Sequence, residues 1–365
     1  MQTLDAAVFP YLVILLLWAV IGLFGASIVA LFIGLGFHKR EILRRIRTRQ
    51  ERIARFEGIL ARSGTDPAVR LPVLHELEEV TALGSALTRK FGPDAIASPR
   101  ILELIRASGA EKAALQELGA RDWARRYQAV TAIGDLRLPE LFDPLVEFAR
   151  TEENMRIFGI CLFSAAHLLS KPFHFQVLFT LTASRPDLSA GYDEGTFRIA
   201  IRTLMERGVA PERLSLVFQT CLEAGRAGEQ HALALIQAIG KERLLGFRSL
   251  LVQVARERAS DRLTAATLRS LQSMAQCDPL IEEQIGAADL MLNIAALRSA
   301  ESCGEAIVPR VSAQLASPDF NVRYAAAQTL MNLGEAGHRE LLAREQDARE
   351  EVRHMAVFAL LLESR

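Results

Sequence analysis

The side chains best suited to catalysis or metal binding here are seven histidines and four cysteines, and their spacing limits what they can do. His167 and His174 stand seven residues apart with Pro172 between them. A shared metal needs ligands converging from one surface, and a proline inside the interval breaks the helix that would align them. His75-Glu76 is a single His-Glu pair of the kind found on helix surfaces. His231 and His354 fall inside helical patterns as partly buried polar positions. Cys161, Cys221, Cys277 and Cys303 lie far apart, each in or beside an apolar helical pattern, with no CxxC or zinc spacing. They read as small buried hydrophobes in a reducing compartment, without a disulfide framework. There is no glycine-rich phosphate loop, GxSxG or HExxH. No residue is assigned a catalytic, cofactor-binding or metal-binding role, and no cofactor is expected.

Composition narrows the classes further. Half of the 365 residues are apolar, enough for a large core, and 43 basic residues balance 43 acidic ones. A nucleic-acid binder needs a basic excess to neutralise phosphates, so that class is excluded as a partner. Aromatic residues make up 7%, too few for base-stacking platforms.

The elements that must carry any site are helices of one recurring kind. In Asp319–Leu330, Asp319 can cap the free N–H groups while Val322, Ala326 and Leu330 share a face at four-residue spacing. The same offsets return in Asp122–Ile133, Glu152–Phe163, Asp289–Ala300 and Glu350–Leu360. With the arginine slot as marker, the positions are Arg126, Arg156, Arg198, Glu229, Ala265, Asn293, Arg323 and Arg353. A period of about thirty residues means a helical repeat array. The widest interval follows Arg156, and Ser184–Gly195, rich in turn residues, is expected to hold the excess as a surface loop. Ile157–Leu169 is apolar but too short to span a bilayer and reads as a buried repeat helix.

Over roughly residues 101–365 these units resemble the short HEAT-like repeats of bacterial proteins. The resemblance implies an all-α fold: a HEAT-like α-solenoid of about eight helix pairs. It also implies scaffold roles, tying neighbouring repeats together, for Asp122, Arg126, Arg156, Arg198, Asp289, Asp319, Arg323 and Arg353. Some HEAT-repeat enzymes hold iron through repeated His-Glu pairs, as deoxyhypusine hydroxylase does; the one pair here lies outside the repeats. Groups acting on phycobilins or alkylated DNA bases fit neither the neutral charge nor the N-terminal segment.

That segment, residues 8–37, holds no charged side chain and exceeds the roughly 20 apolar residues a bilayer requires. It ends in His38-Lys39-Arg40, not in a cleavage site, so a single transmembrane anchor is expected. Gly22, Ala26, Ala30 and Gly34 form a small-residue stripe for membrane-helix contact with another transmembrane helix. Beyond it, Lys39, Arg40, Arg44, Arg45, Arg47, Arg49, Arg52 and Arg55 face only Glu41 and Glu51. This excess puts the N-terminus outside and the repeats in the cytoplasm of an inner (cytoplasmic) membrane. Lys39, Arg40, Arg44, Arg45, Arg47 and Arg49 are expected to face lipid, on a helix whose Ile42, Ile46, Ile53, Phe56 and Leu60 form either a stalk seam or a lipid-facing stripe. The expected domains are the anchor at 1–37, the basic helix at 38–63, a capping helix over Arg70–Phe91 with its linker at 64–100, and the solenoid at 101–365.

The functional expectation is a non-enzymatic scaffold binding partner proteins near the membrane. Similar anchored repeat proteins imply a polysaccharide-synthesis or signalling complex. The alternative is a membrane-tethered lyase or isomerase of the HEAT-like type with a pocket on the concave face, which requires convergent polar groups.

Overall fold

The computed structural model describes residues 39–40, 42–62, 70–92, 98–189, 191–224, 229–258 and 260–363. The expected anchor over residues 8–37, with Gly22, Ala26, Ala30 and Gly34, lies outside the described residues. Among the described residues no helix is long and apolar enough to cross a membrane. The chain divides between Arg70 and Leu71.

In the first part, residues 42–62 form helix α1. Lys39, Arg40, Arg44, Arg45, Arg47 and Arg49 are exposed, and Arg47 meets Glu51 one turn on at 3.1 Å. The expected apolar stripe splits: Ile42 and Ile46 are exposed, while Ile53, Phe56 and Leu60 are buried.

The second part is helical throughout its described residues, with no strand. It opens with α2 (Leu77–Phe91), α3 (Pro99–Ala107) and α4 (Ala110–Leu118), then the pair α5 (Trp123–Leu136) and α6 (Phe142–Thr151). Next come α7 (Met155–Leu168) with α8 (Pro172–Ser184), a single turn α9 (Pro186–Ser189), and α10 (Asp193–Glu206) with α11 (Pro211–Ala224). The pairs α12 (Glu229–Lys241) with α13 (Arg248–Arg258) and α14 (Asp261–Ser273) with α15 (Pro279–Gln284) follow. The chain continues through α16 (Leu290–Ser299), α17 (Val308–Ala313), α18 (Phe320–Asn332), α19 (Glu335–Arg344) and α20 (Glu350–Glu363). Helices α5, α7, α10, α12, α14, α16, α18 and α20 pack side by side in chain order, and the intervening helices return against them. This is an α-solenoid of stacked helix pairs. All eight sequence markers lie on the helices of that one row.

Local sequence explains the starts. Asp122, Asn154, Asp289 and Asp319 each accept N–H groups of their own first turn, which would otherwise lack partners. Pro172, Pro211 and Pro279 open the returning helices at the position where a missing N–H is tolerated. Along the row, the eighth residues of α5, α12, α14, α16 and α18 (Val130, Ile236, Leu268, Leu297 and Ala327) are all buried. Close approach depends on glycine. A Cβ on Gly134 would sit 2.6 Å from Ser164 Oγ, and one on Gly240 would sit 2.5 Å from Ser270 Oγ.

A second periodic device was not anticipated. Ser270 Oγ donates to Ile236 O at 2.9 Å and Thr329 Oγ1 to Leu297 O at 3.0 Å, while Ser299 Oγ shares its one proton between Leu268 O at 2.9 Å and Ala295 O of its own helix at 2.7 Å. A carbonyl has two lone pairs, so each acceptor takes this bond besides its own helical one. Three successive joints are thus tied by one buried hydroxyl each.

Several expectations need correction. The helix expected from Arg70 begins at Leu77: residues 71–75 are not helical, and Leu74 N–H donates to Ser108 O at 2.8 Å. Helix α2 packs on α5. Within Ser184–Gly195, Ser184 ends α8, Pro186–Ser189 form α9 and Asp193 opens α10, and Ser189 and Asp193 are buried, so the stretch is not simply a surface loop. His354 is exposed, its Nε2 3.7 Å from Glu350. Cys161 and Cys221 are free and buried as expected, but Cys277 and Cys303 form a disulfide.

Candidate protein-binding surface

The repeat residues divide into two groups. Arg126 Nη1 reaches back to Ala120 O and Arg121 O at 3.0 and 3.1 Å, and Arg323 Nη1 to Ser317 O and Pro318 O at 2.8 and 2.9 Å. Arg353 does the same to Asp347 O at 3.1 Å. Each pins the loop that precedes its own helix. Arg126 also crosses to the next repeat, donating to Glu152 Oε2 at 3.1 Å. In the same slot, Asn293 accepts from Gly286 N–H at 3.0 Å and donates to Gln314 at 3.2 Å.

Arg156 and Arg198 work differently. Asn154, not Glu152, caps α7, so the slot four residues on is the buried Phe158 and Arg156 is exposed in the first turn. Arg198 ties repeats through a carboxylate: with Arg202 it brackets Glu242, at 2.8 and 2.7 Å. Burial pushes the Glu242 carboxyl up, but the hydrogen bonds from Arg202 and Arg198 outweigh it and hold it below its ordinary value. At marker positions lacking arginine, Glu229 accepts from Ser260 Oγ and Ala265 is buried.

The histidines with chemical potential are committed to packing. His174 stacks on Phe142 at 4.3 Å and its Nδ1 accepts the Ser170 N–H at 3.3 Å; burial lowers its pKa. It is not paired with His167, whose carbonyl accepts from Arg207. The buried His231 meets Asp193 and Ser189, a combination sequence reading did not bring together. Asp193 Oδ2 and Ser189 Oγ both lie 3.5 Å from the same His231 Nε2. A relay needs the orienting carboxylate and the hydroxyl on opposite ring nitrogens, so this cluster joins α9 to α12 and does not activate a nucleophile. Burial raises the pKa of Asp193. Among the described residues no group of three or more His, Cys, Asp or Glu is arranged to hold a metal ion.

What the array offers to solvent is an apolar rim along the first turns of the row. Leu290 and Met291 open α16 and are 48% and 63% exposed; Phe320 opens α18 and is 56% exposed. Tyr324 stacks on Phe320 at 6.2 Å and also meets Phe358 of α20 at 6.2 Å, so the aromatic surface crosses two helices. Arg323 lies over the Phe320 ring at 5.9 Å. A smaller counterpart at the other end is made by Trp123, Tyr127 and Met155, all exposed. Exposed first-turn aromatics could have been found in the sequence, because the residue after a cap points away from the buried stripe.

An open groove of about 560 Å³ lies along α13, lined by Arg248, Val252, Gln253, Arg256 and Asp278. Its cations are engaged, Arg248 with Asp278 at 2.8 Å and Arg256 with Glu283 at 3.0 Å.

No family model matches the chain, and no curated protein matches it. Among solved structures, 80% of the chain aligns with 86% of an engineered protein at 15% identity and a TM-score of 0.30. A chain from the structure of the Pds5–Scc1 complex aligns over 78% of this chain and 54% of its own length, at 10% identity and a TM-score of 0.29. With likenesses this distant, the solenoid assignment rests on the helix packing itself.

Proposed function

We propose that this protein is a non-enzymatic scaffold, held at a membrane by residues 8–37, whose helical array binds partner proteins. The observation that supports it is the rim made by the exposed Leu290, Met291, Phe320 and Phe358 on three adjacent helices, with the half-buried Tyr324 joining Phe320 to Phe358. Monomeric surfaces rarely leave aromatic and aliphatic side chains clustered in this way without a partner, and aromatic residues dominate binding energy when covered. The charge-free N-terminal run supports the anchor and the basic stub supports a cytoplasmic array, with the stub's cations lying against anionic lipid. The resemblance to anchored bacterial repeat proteins is what supports a polysaccharide-synthesis or signalling complex as the setting.

The test is affinity purification of the full-length protein from membranes in mild detergent, beside a copy lacking residues 1–37. Partners recovered with both forms support binding through the array. Partners recovered only with the full-length form would move the function into the membrane segment, and Gly22, Ala26, Ala30 and Gly34 replaced by Ile should then abolish the complex. Recovery of nothing by either form would overturn the scaffold.

A further inference from the structure

The edge of the array where the row of helices ends is tied at several joints, and the ties differ in kind. Arg207, just after α10, donates to Arg137 O at 3.2 Å and His167 O at 3.5 Å. Glu242, just after α12, takes Arg198 and Arg202 from α10. Asn332, at the end of α18, donates to Glu301 at 2.7 Å. Between α14 and α16 the same edge is closed covalently. Cys277, in the turn after α14, is bonded to Cys303, in the turn after α16, across 26 residues of chain and a Cα–Cα distance of 4.7 Å.

We propose that Cys277 and Cys303 form a reversible dithiol–disulfide clasp that answers to small thiols and disulfides and sets the stiffness of this one joint. Three observations carry it. Cys277 is exposed and Cys303 half-buried, so a small thiolate can reach the bond; the other two cysteines are buried. The joint does not depend on the clasp. Leu268, Leu297 and Ala296 pack in its core; Ser299 Oγ lies 2.9 Å from Leu268 O and 2.7 Å from Ala295 O, and Ser302 Oγ lies 3.2 Å from Gln276 O and 2.8 Å from Ser299 O, so each single proton is shared between the joint and its own segment. A disulfide substitutes for a core chiefly in domains too small to build one, and this joint has its core. Those same bonds hold the two turns together when the clasp is open, so the sulfurs stay in reach for closing.

Opening follows thiol–disulfide exchange. A small thiolate attacks one sulfur, forming a mixed disulfide and releasing the other cysteine as thiolate. A second small thiolate then attacks the small-molecule sulfur of that mixed disulfide, releasing the protein cysteine as thiolate and departing with the first as a small disulfide. Two electrons and two protons pass from the two small thiols to the pair, and oxidised glutathione drives the reverse. The clasp also touches the α13 groove, since Arg248 donates to Cys277 O at 2.9 Å and to Asp278 Oδ2 at 2.8 Å. The chemistry is the same whatever the array binds and whichever compartment it faces.

The experiment is a redox titration of the purified full-length protein in mild detergent over ratios of reduced to oxidised glutathione. Thiols are trapped with a maleimide and the peptides containing Cys277 and Cys303 are weighed. The expected result is that both become labelled together along one two-electron curve, identical from either direction, with Cys161 and Cys221 unlabelled until denaturation. A pair that opens only when the protein unfolds, or that never closes, would overturn the clasp. Dithiothreitol should also lower the melting temperature of the wild type by several degrees and leave C303S unmoved; equal shifts in both would overturn it too. The titration needs no variant to fold.

Discussion

Arg198 and Glu242 face each other across a joint of the array, with the Arg198 Nε–H donating to Glu242 Oε1 at 2.8 Å. Arg202, one turn further along α10, takes the second carboxylate oxygen. One acceptor from the turn after α12 therefore fixes two successive turns of its neighbour. The carboxylate is 11% exposed while the two guanidinium groups are 35% and 38% exposed, so solvent screens the pairing from one side only.

Glu242→Gln should destabilise the protein by about 1–3 kcal/mol at neutral pH, because two guanidinium groups lose a charged acceptor. The sign with pH follows from the lowered carboxyl pKa. A carboxyl held below its ordinary value contributes fully above that value, and the contribution disappears as pH falls through the folded-state pKa. Urea unfolding of wild type and variant should show a gap at pH 7 that narrows below the ordinary carboxylate range. A gap independent of pH would mean the loss is one of packing.

The hydroxyl ladder makes a separate prediction. Thr329→Val keeps shape and volume while removing the bond to Leu297 O. The acceptor keeps its helical partner, so the loss should be about 0.5–1.5 kcal/mol. Ser270→Ala, two joints away, should lose a similar amount, and the double variant should show the sum within about 0.5 kcal/mol. Chemical denaturation measures all three, and strong non-additivity would mean the joints are not independent units.

What could be read from the chain followed from which interactions are local. Asp122, Asp289 and Asp319 bond within their own first turns, and four-residue apolar spacing fixes which face is buried, so the repeat and its helical row were legible. Arg156 was misregistered because Glu152 and Asn154 compete for the cap two residues apart, and the sequence does not rank them. The Ser184–Gly195 stretch has turn residues throughout, but its burial depends on His231, which the stacking of α12 brings to Ser189 and Asp193. Cys277 and Cys303 lie about one repeat apart, so the period that defined the array also set the two sulfurs on neighbouring turns. Reading each cysteine against its own helix hid that. Ser270, Ser299 and Thr329 follow the same period and were visible in principle, had polar positions been aligned as closely as apolar ones.

Gly240 marks a contact with no room for a side chain, its absent Cβ 2.5 Å from Ser270 Oγ and 2.7 Å from Ser270 Cα. Gly240→Leu should force α12 and α14 apart and destabilise by about 1–3 kcal/mol or more. Gly240→Ala combined with Ser270→Gly should recover part of the loss of Gly240→Ala alone, since the second change removes two of the three closest atoms and leaves only Cα at 2.7 Å. Thermal melting of the three variants checks this, and no recovery in the pair would place the strain elsewhere on α12.

The rim separates folding from binding. Met291 and Phe320 are 63% and 56% exposed, so their side chains add little to the folded core. Met291→Asp and Phe320→Asp should each change unfolding free energy by no more than about 0.5 kcal/mol, as surface substitutions do. Partner capture should behave differently. An aromatic or methionine anchor covered by a partner contributes about 2 kcal/mol or more, and a charge in its place is desolvated without compensation. The double variant should therefore lower partner recovery from membranes more than tenfold, while its melting temperature and helical circular dichroism match the wild type. Tyr324→Ser would sharpen the result, because Tyr324 links Phe320 to Phe358 and its loss should weaken capture without adding charge. Undiminished recovery with all three variants would remove the rim as the binding surface and direct the search to the Trp123, Tyr127 and Met155 end of the same row.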